Sequence, residues 1–314
     1  MKKQAMRDAF FDKLYELAKN DKDIVVVSAD LGAPALDKFR LDFPEQFINV
    51  GISEQNAILV ATGLALAGKK PIAYAITQFI TLRCYEQIRI YPCGMNLPVT
   101  IVGVGAGACY SESGPTHHCI EDLSIMRALP NIKILNSSDS FLADKFAELA
   151  VDGNGPKFIR LDREIFDNLH GEKINIDDGF SELKSLTKIN ILATGNMVKT
   201  ALDVANTLSK QSINVGVVDI FQLPVKEESL IRLLKESKGV VTLEEHSLAG
   251  GFGSYILEIL NDAEVNIKVK RIGFDTSNGY EHCYNYGGRE AIRGEFGMDF
   301  VNIIEKVRKL ATAF

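Results

Sequence analysis

Short apolar runs rich in β-branched residues alternate with longer segments of helical periodicity. That alternation restricts the fold more than any single motif. Ile24-Val25-Val26-Val27 is one such run, and further strand-like stretches lie at 47–50, 71–75, 98–104, 132–135 and 157–161. Helical patterns fill the intervals at 5–20, 54–67, 78–91, 120–129 and 140–151. A run that is apolar throughout is buried on both faces, as in parallel sheets flanked by helices. The expected fold is therefore α/β, a parallel sheet with helices on both faces. A polar stretch at 169–186, with Gly171 and Gly179, precedes a second alternation. Its strands are read at 189–193, 214–219, 239–243 and 265–272, and its helices at 198–209, 230–235, 253–261, 289–296 and 299–310. A length of 314 residues suits two domains. The expectation is a first domain over 1–168, a linker over 169–186 and a smaller α/β domain over 187–314.

Composition narrows the class of function. A net charge of -6 argues against a general nucleic-acid surface. The opening Met-Lys-Lys-Gln-Ala-Met-Arg-Asp lacks the apolar centre of a signal peptide, and no apolar run is long enough to span a bilayer. Five cysteines, an odd number with no C-x-x-C pair, fit reduced thiols in a cytoplasmic protein better than a disulfide framework or a zinc site.

Three stretches carry chemistry-bearing residues where a strand gives way to a helix, the end at which open α/β sheets place ligands. In Asn49-Val50-Gly51-Ile52-Ser53-Glu54-Gln55-Asn56, Ser53 suits an N-cap and Glu54 falls in the first helical turn. Helix capping explains both residues; so does a carboxylate held at the mouth of the sheet for catalysis. The loop Gly105-Ala106-Gly107-Ala108-Cys109-Tyr110-Ser111-Glu112-Ser113-Gly114-Pro115-Thr116-His117-His118 ends in paired histidines. It reads either as a solvated surface loop or as an active-site loop whose histidine moves a proton or bonds a substrate oxygen. Glu244-Glu245-His246 followed by Gly250-Gly251-Phe252-Gly253 reads as a tight turn or a subunit contact, with anion binding at the helix start the weaker choice.

Taken in order, Ser28-Ala29-Asp30-Leu31, Asn49 to Glu54, Gln87-Ile88-Arg89, Gly114-Pro115-Thr116-His117, Glu121-Asp122, Met126-Arg127 and Glu244-Glu245-His246 resemble the C-terminal half of transketolase. The match is closer to the separate C-terminal subunit of split, two-chain transketolases. The resemblance implies a pyrimidine-binding domain followed by a transketolase C-terminal domain. It implies thiamin diphosphate and Mg²⁺ as cofactors. The residue matching Glu54 bonds N1′ of the cofactor's aminopyrimidine, and that matching Phe79 packs on the ring. Asp30 and Ile76 match other cofactor-binding positions, and His117 matches a histidine beside the reacting centre. Arg7 and Arg163 match arginines that grip a sugar phosphate. Glu112 and Ser113 match positions that read the donor sugar.

Departures from the family pattern shape the rest. The chain has no GDG followed by Asn, so the resemblance implies that Mg²⁺ and the diphosphate are held by an N-terminal transketolase subunit in an α2β2 heterotetramer. No metal ligand is expected in this chain. Ile76 stands where a second Phe is usual, Ser113 where an Asp is usual, and Gly105 where a phosphate-gripping His is usual. These changes leave the ketose donor and the acceptor open. The reading is ketol transfer by a catalytic half-site in the cytoplasm. The alternatives are the β subunit of a 2-oxo-acid dehydrogenase and a non-catalytic regulatory partner of the same fold.

Overall fold

The computed structural model describes residues 3–29, 33–172, 174–277 and 287–314. The chain divides into two compact units, Met1–Ala106 with Ile125–His170, and Gly107–Ser124 with Gly171–Phe314.

The first unit carries strands β1 (Ile24–Ser28), β2 (Phe47–Asn49), β3 (Lys70–Ile76), β4 (Thr100–Val104), β5 (Lys133–Asn136) and β6 (Lys157–Leu161). They run in the order β5-β6-β4-β3-β1-β2, every neighbouring pair parallel. β1 and β4 are buried at every residue, which is why their sequences are nearly all apolar without alternation; β6 is buried throughout too, although it carries Lys157 and Arg160. Helix α1 (Met6–Ala18) packs against α7 (Ser140–Ala150), burying Phe10, Phe11 and Leu14 from one and Phe141, Leu142 and Phe146 from the other. Between them in the chain lie α2 (Asp37–Asp42), α3 (Glu54–Leu66), α4 (Thr77–Thr81), α5 (Tyr85–Ile88) and α6 (Asp122–Met126). The parallel sheet and flanking helices agree with the expected fold class.

The order places β2 on one side of β1 and β3 with β4 on the other. The connections leaving β1 and β3 therefore diverge, forming the switch point at which such sheets bind ligands. One expected helix is interrupted. The pattern at 78–91 resolves into α4, α5 and a π-helical turn, Arg89–Cys93, that contains Pro92. Proline lacks an N–H and crowds the preceding turn, so a regular α-helix ends before it.

The second unit holds β7 (Phe180–Lys184), β8 (Ile189–Ala193), β9 (Gly216–Ile220), a short β10 (Gln222–Leu223), β11 (Gly239–Ser247) and β12 (Lys268–Phe274). Its sheet has the order β12-β11-β8-β9-β7, parallel except that β7 runs antiparallel to β9. Helices α8 (Met197–Ser209), α9 (Glu227–Leu234), α10 (Phe252–Asp262), α11 (Gly288–Glu295) and α12 (Phe300–Ala311) complete it. β7 lies inside the polar stretch expected to be a linker. Its sequence shows no strand signal because an edge strand with no fully buried residue needs no apolar run. β11 reaches four residues beyond the expected strand end, and all nine of its residues are buried, Glu244, Glu245 and His246 included. Among the described residues no helix is long and apolar enough to cross a membrane.

Candidate functional site

The first unit presents Ile76 as the last residue of β3, Phe79 three residues later and Glu54 five residues after β2. The turn into α3 is built by its own residues. The Asn49 side chain accepts a bond from the Gly51 N–H at 2.9 Å, and Gly51 has φ of 72, where a side chain would be strained. Ser53 occupies the N-cap position but makes no side-chain capping bond, so its expected capping role is not realised. Glu54 is the first helical residue and is 4 % exposed. Its carboxylate Oε2 accepts a bond from Arg83 Nη1 at 2.8 Å. The same guanidinium lies over the Phe79 ring, 4.6 Å from its centroid, so one cation joins the two residues. Burial pushes the nearby Cys84 thiol up to about 12, with the Glu54 charge adding to the effect and Arg83 opposing it. That thiol is inert at neutral pH.

Gly103 of β4 lets α4 start close to the sheet. A Cβ there would sit 2.8 Å from Thr77 Oγ1 and 3.0 Å from Thr77 Cα, so the helix that carries Phe79 packs directly on the strand. Neither Gly103 nor Arg83 stands out in the sequence. The four-residue spacing from Phe79 to Arg83 is the only local signal for the latter.

Arg7 and Arg163 are 156 positions apart, yet an isolated antiparallel bridge between Ala5 and Ile165 brings their segments together. Arg7 is also engaged by Asp8, through Nε at 2.8 Å and Nη2 at 2.7 Å. Asp30 lies outside the described residues.

Glu112, Ser113 and His117 belong to the second unit, although the sequence reading puts them within 1–168. The reason is bonding. Gly107 and Cys119 exchange backbone bonds of 2.9 and 2.8 Å that close the loop. The Ile120 carbonyl then accepts from Ser247 N–H at 2.7 Å, and His246 Nε2 accepts from Leu123 N–H at 3.0 Å. The paired histidines differ sharply. His118 is buried, and its ring is held below its ordinary pKa chiefly by burial, against backbone bonds to Ser111 and Tyr110 and the Glu245 charge. His117 is half-buried, with Nδ1 3.0 Å from Thr116 Oγ1 and its ring edge-on to Tyr110 at 5.9 Å. Of the pair, His117 is the one whose ring is accessible to a ligand.

The third motif is internal. Glu244 accepts bonds from Phe252 N–H at 2.6 Å and Gly253 N–H at 2.7 Å, so the anion at the start of α10 is the chain's own carboxylate. A Cβ on Gly251 would meet the Ser247 carbonyl at 2.3 Å, which explains the glycine pair as close approach. Glu245 lies beside it. It accepts from Arg289 Nε at 2.8 Å, Arg293 Nε at 2.9 Å and Asn196 Nδ2 at 2.7 Å. The partners Asn196, Arg289 and Arg293 carry no sequence signal that points to Glu245. Cys84, Cys93, Cys109 and Cys119 form no disulfide among the described residues; Cys283 lies outside them.

Comparison with known proteins adds the lineage. The family description "Transketolase, pyrimidine binding domain" matches residues 2–167, and "Transketolase, C-terminal domain" matches 181–288. One subunit of the apulose-4-phosphate transketolase of Actinobacillus succinogenes is 32 % identical over 297 residues, covering 94 % of each chain. The 1-deoxy-D-xylulose-5-phosphate synthase of Halothermothrix orenii is 36 % identical over 312 residues, but this chain spans only 47 % of that protein's length. Among solved structures, a split-gene transketolase described as an inactive β4 tetramer superposes with a TM-score of 0.86 at 33 % identity, covering 98 % of this chain and 99 % of that one. The chain belongs to the transketolase family.

Proposed function

We propose that this chain is the C-terminal, catalytic half of a two-chain transketolase that moves a two-carbon ketol unit from a ketose to an aldose. The observation that carries the reading is the Glu54 carboxylate, buried at the head of α3 with one half-exposed counter-ion and an aromatic ring beside that cation. A buried acceptor next to a flat apolar face fits an aminopyrimidine, whose ring nitrogen needs a hydrogen-bond partner and whose faces need packing. Thiamin diphosphate, when bound, supplies a carbon nucleophile and an electron sink for cleaving the ketose. Glu54 would hold a proton at pyrimidine N1′. Phe79 and Ile76 would pack on the ring, and Asp30 would complete the pocket. His117 would donate to, or take a proton from, a substrate oxygen. Arg7 and Arg163 would bind a phosphate, and Glu112 with Ser113 would read the donor's hydroxyls.

The division of labour proposed is a pyrimidine-binding domain at 1–168, a linker at 169–186 and a C-terminal domain at 187–314. An N-terminal subunit bearing GDG…N supplies the Mg²⁺ and diphosphate site in a cytoplasmic α2β2 assembly. Support for an assembly comes from the outer face of α3, where Leu59 and Leu66 are exposed, with Ile52 just before the helix 79 % exposed. An apolar helix face of this kind is normally covered. The relative from Actinobacillus succinogenes, named as one subunit of its transketolase, supports a partner chain, and the relative solved as a β4 tetramer was described as inactive.

The test is reconstitution with a diphosphate-binding subunit, followed by Glu54→Gln. Ketol transfer should fall by about a hundredfold or more, the range for removal of an acid–base group. Activity indifferent to the change would defeat the catalytic assignment. The 36 % identity to the synthase favours one second reading, formation of 1-deoxy-D-xylulose 5-phosphate, which a product assay of the same pair separates from ketol transfer.

A further inference from the structure

We propose that Glu245, gripped by Arg289, Arg293 and Asn196, is a positioning residue: it forms the bed on which the 107–124 loop rests, so that the second unit sets where the substrate-facing residues of that loop stand. The proposal rests on the assignment of His117, Glu112 and Ser113 to the sugar site made above.

The Glu245 side chain has no exposed surface, and its two arginines are 6 % and 10 % exposed. Both carboxylate oxygens are engaged: Oε1 by Arg289 and Arg293, Oε2 by Asn196 and Arg289. The three donors come from the start of α8 and from α11, so the carboxylate fixes two helices relative to β11. A group this saturated has little freedom to rotate, and whatever lies against it inherits its position.

The loop touches it at Gly107 and feels its charge at His118. Gly107 sits so close that a Cβ would be 2.5 Å from Glu245 Oε2, and its φ of 62 favours glycine. Gly107 is also the residue that closes the loop by exchanging bonds with Cys119. At the other end, buried His118 feels the Glu245 charge and bonds backbone of Ser111 and Tyr110. His118 is covalently next to His117. The Ser111–Ser113 turn, which carries Glu112 and Ser113, packs against α11, the helix that supplies both arginines. One buried carboxylate is thus linked to the loop's closure, to the neighbour of its accessible histidine and to its specificity turn. A core staple would stabilise the unit as a whole; a bed should act on the loop in particular.

Amide hydrogen exchange of the full chain, with NMR titration of the His118 ring, separates the two without any catalytic assay. Glu245→Gln removes the charge. Arg293→Lys keeps a charge but loses the planar fork, and serves if the first variant does not fold. For either, exchange of the 107–124 amides should speed up by about tenfold or more while β8 and β9 keep their protection. In Glu245→Gln the His118 midpoint should fall, because a carboxylate that favours its protonated form is gone. Uniform loss of protection across the second unit, or an unchanged loop beside a lowered Tm, overturns the proposal. In the reconstituted pair, Arg293→Lys should raise KM for the sugars more than it lowers kcat. A loop loosened by exchange with both kinetic constants unchanged would uphold the bed and overturn the sugar-site assignment instead.

Discussion

Among the described residues, Glu54 and Glu245 are both almost wholly buried and paired with arginine, and the proposals above give them opposite uses. Glu54 in the first unit pairs with Arg83, whose side chain is 48 % exposed. Glu245 in the second unit has its two oxygens shared among Arg289, Arg293 and Asn196, none of them more than slightly exposed. A carboxylate saturated by rigid neighbours has no capacity left for a ligand. One that keeps a replaceable counter-ion, at the mouth of a parallel sheet, can exchange that partner for a cofactor nitrogen. Burial and an arginine partner therefore do not distinguish a structural acid from a functional one. The number and exposure of the partners do.

The difference is largest in stability. Arg289→Ala leaves the Glu245 charge buried and removes the one of its three donor residues that bonds both carboxylate oxygens. Breaking a buried pair from one side costs about 3–5 kcal/mol, since the remaining charge keeps its desolvation penalty. Urea unfolding at neutral pH should show a loss of that size in the second unit. A loss under about 1 kcal/mol would mean that water reaches Glu245, and the contrast with Glu54 would collapse.

The two sites were also unequally legible in the sequence. Glu54 could be singled out because strand, glycine, acid and helix follow one another within a few residues; its cofactor role, and Phe79 altogether, came only through the family resemblance. The parallel sheet was legible through β1 and β4, where burial on both faces goes with a nearly continuous apolar run. The grip on Glu245 was not legible. Its donors stand 44 to 49 positions away, and nothing local marks an arginine or asparagine as the partner of one acid. The bonding of the 107–124 loop was not legible for the same reason: it runs to 246 and 247 rather than to its neighbours in the chain. Ser53 shows the converse error, a residue with the right type and position whose side chain makes no cap.

Asp139 offers an intermediate case that sharpens the scale. It caps α7 by accepting from Leu142 N–H at 2.8 Å and also accepts from the N–H groups of Leu169 and His170 at 2.6 and 2.9 Å. Burial alone would push its carboxyl up; the His170 ring and these backbone donors outweigh it and hold it below the usual range. Its folded-state value thus lies below its unfolded one, near 3.9. The stability it contributes is fully present above the unfolded value and is lost as pH falls through the folded one. Asp139→Asn should cost about 2 kcal/mol at neutral pH, the range for a cap and a charged hydrogen bond. The gap to wild type should narrow as unfolding is followed from about pH 5 to about pH 2. A gap that stays constant with pH would show that the amide fails by shape rather than by charge.

The smallest effect belongs to Arg83→Ala, and it bears most directly on Glu54. Removing the counter-ion of a buried acid would ordinarily be severe. Two features of the site argue otherwise. Arg83 is half in solvent, so water can enter where its guanidinium was. Glu54 also stands at the first position of α3, where the unpaired N–H groups and the helix dipole favour a negative charge without help. An exposed partner in such a pair contributes about 1 kcal/mol or less. Thermal unfolding of Arg83→Ala should accordingly stay close to that of wild type, while Arg289→Ala falls well below both. If instead the two variants lose stability equally, Glu54 is held by its arginine as Glu245 is by its own, and the carboxylate at the head of α3 is a structural acid rather than one reserved for a ligand.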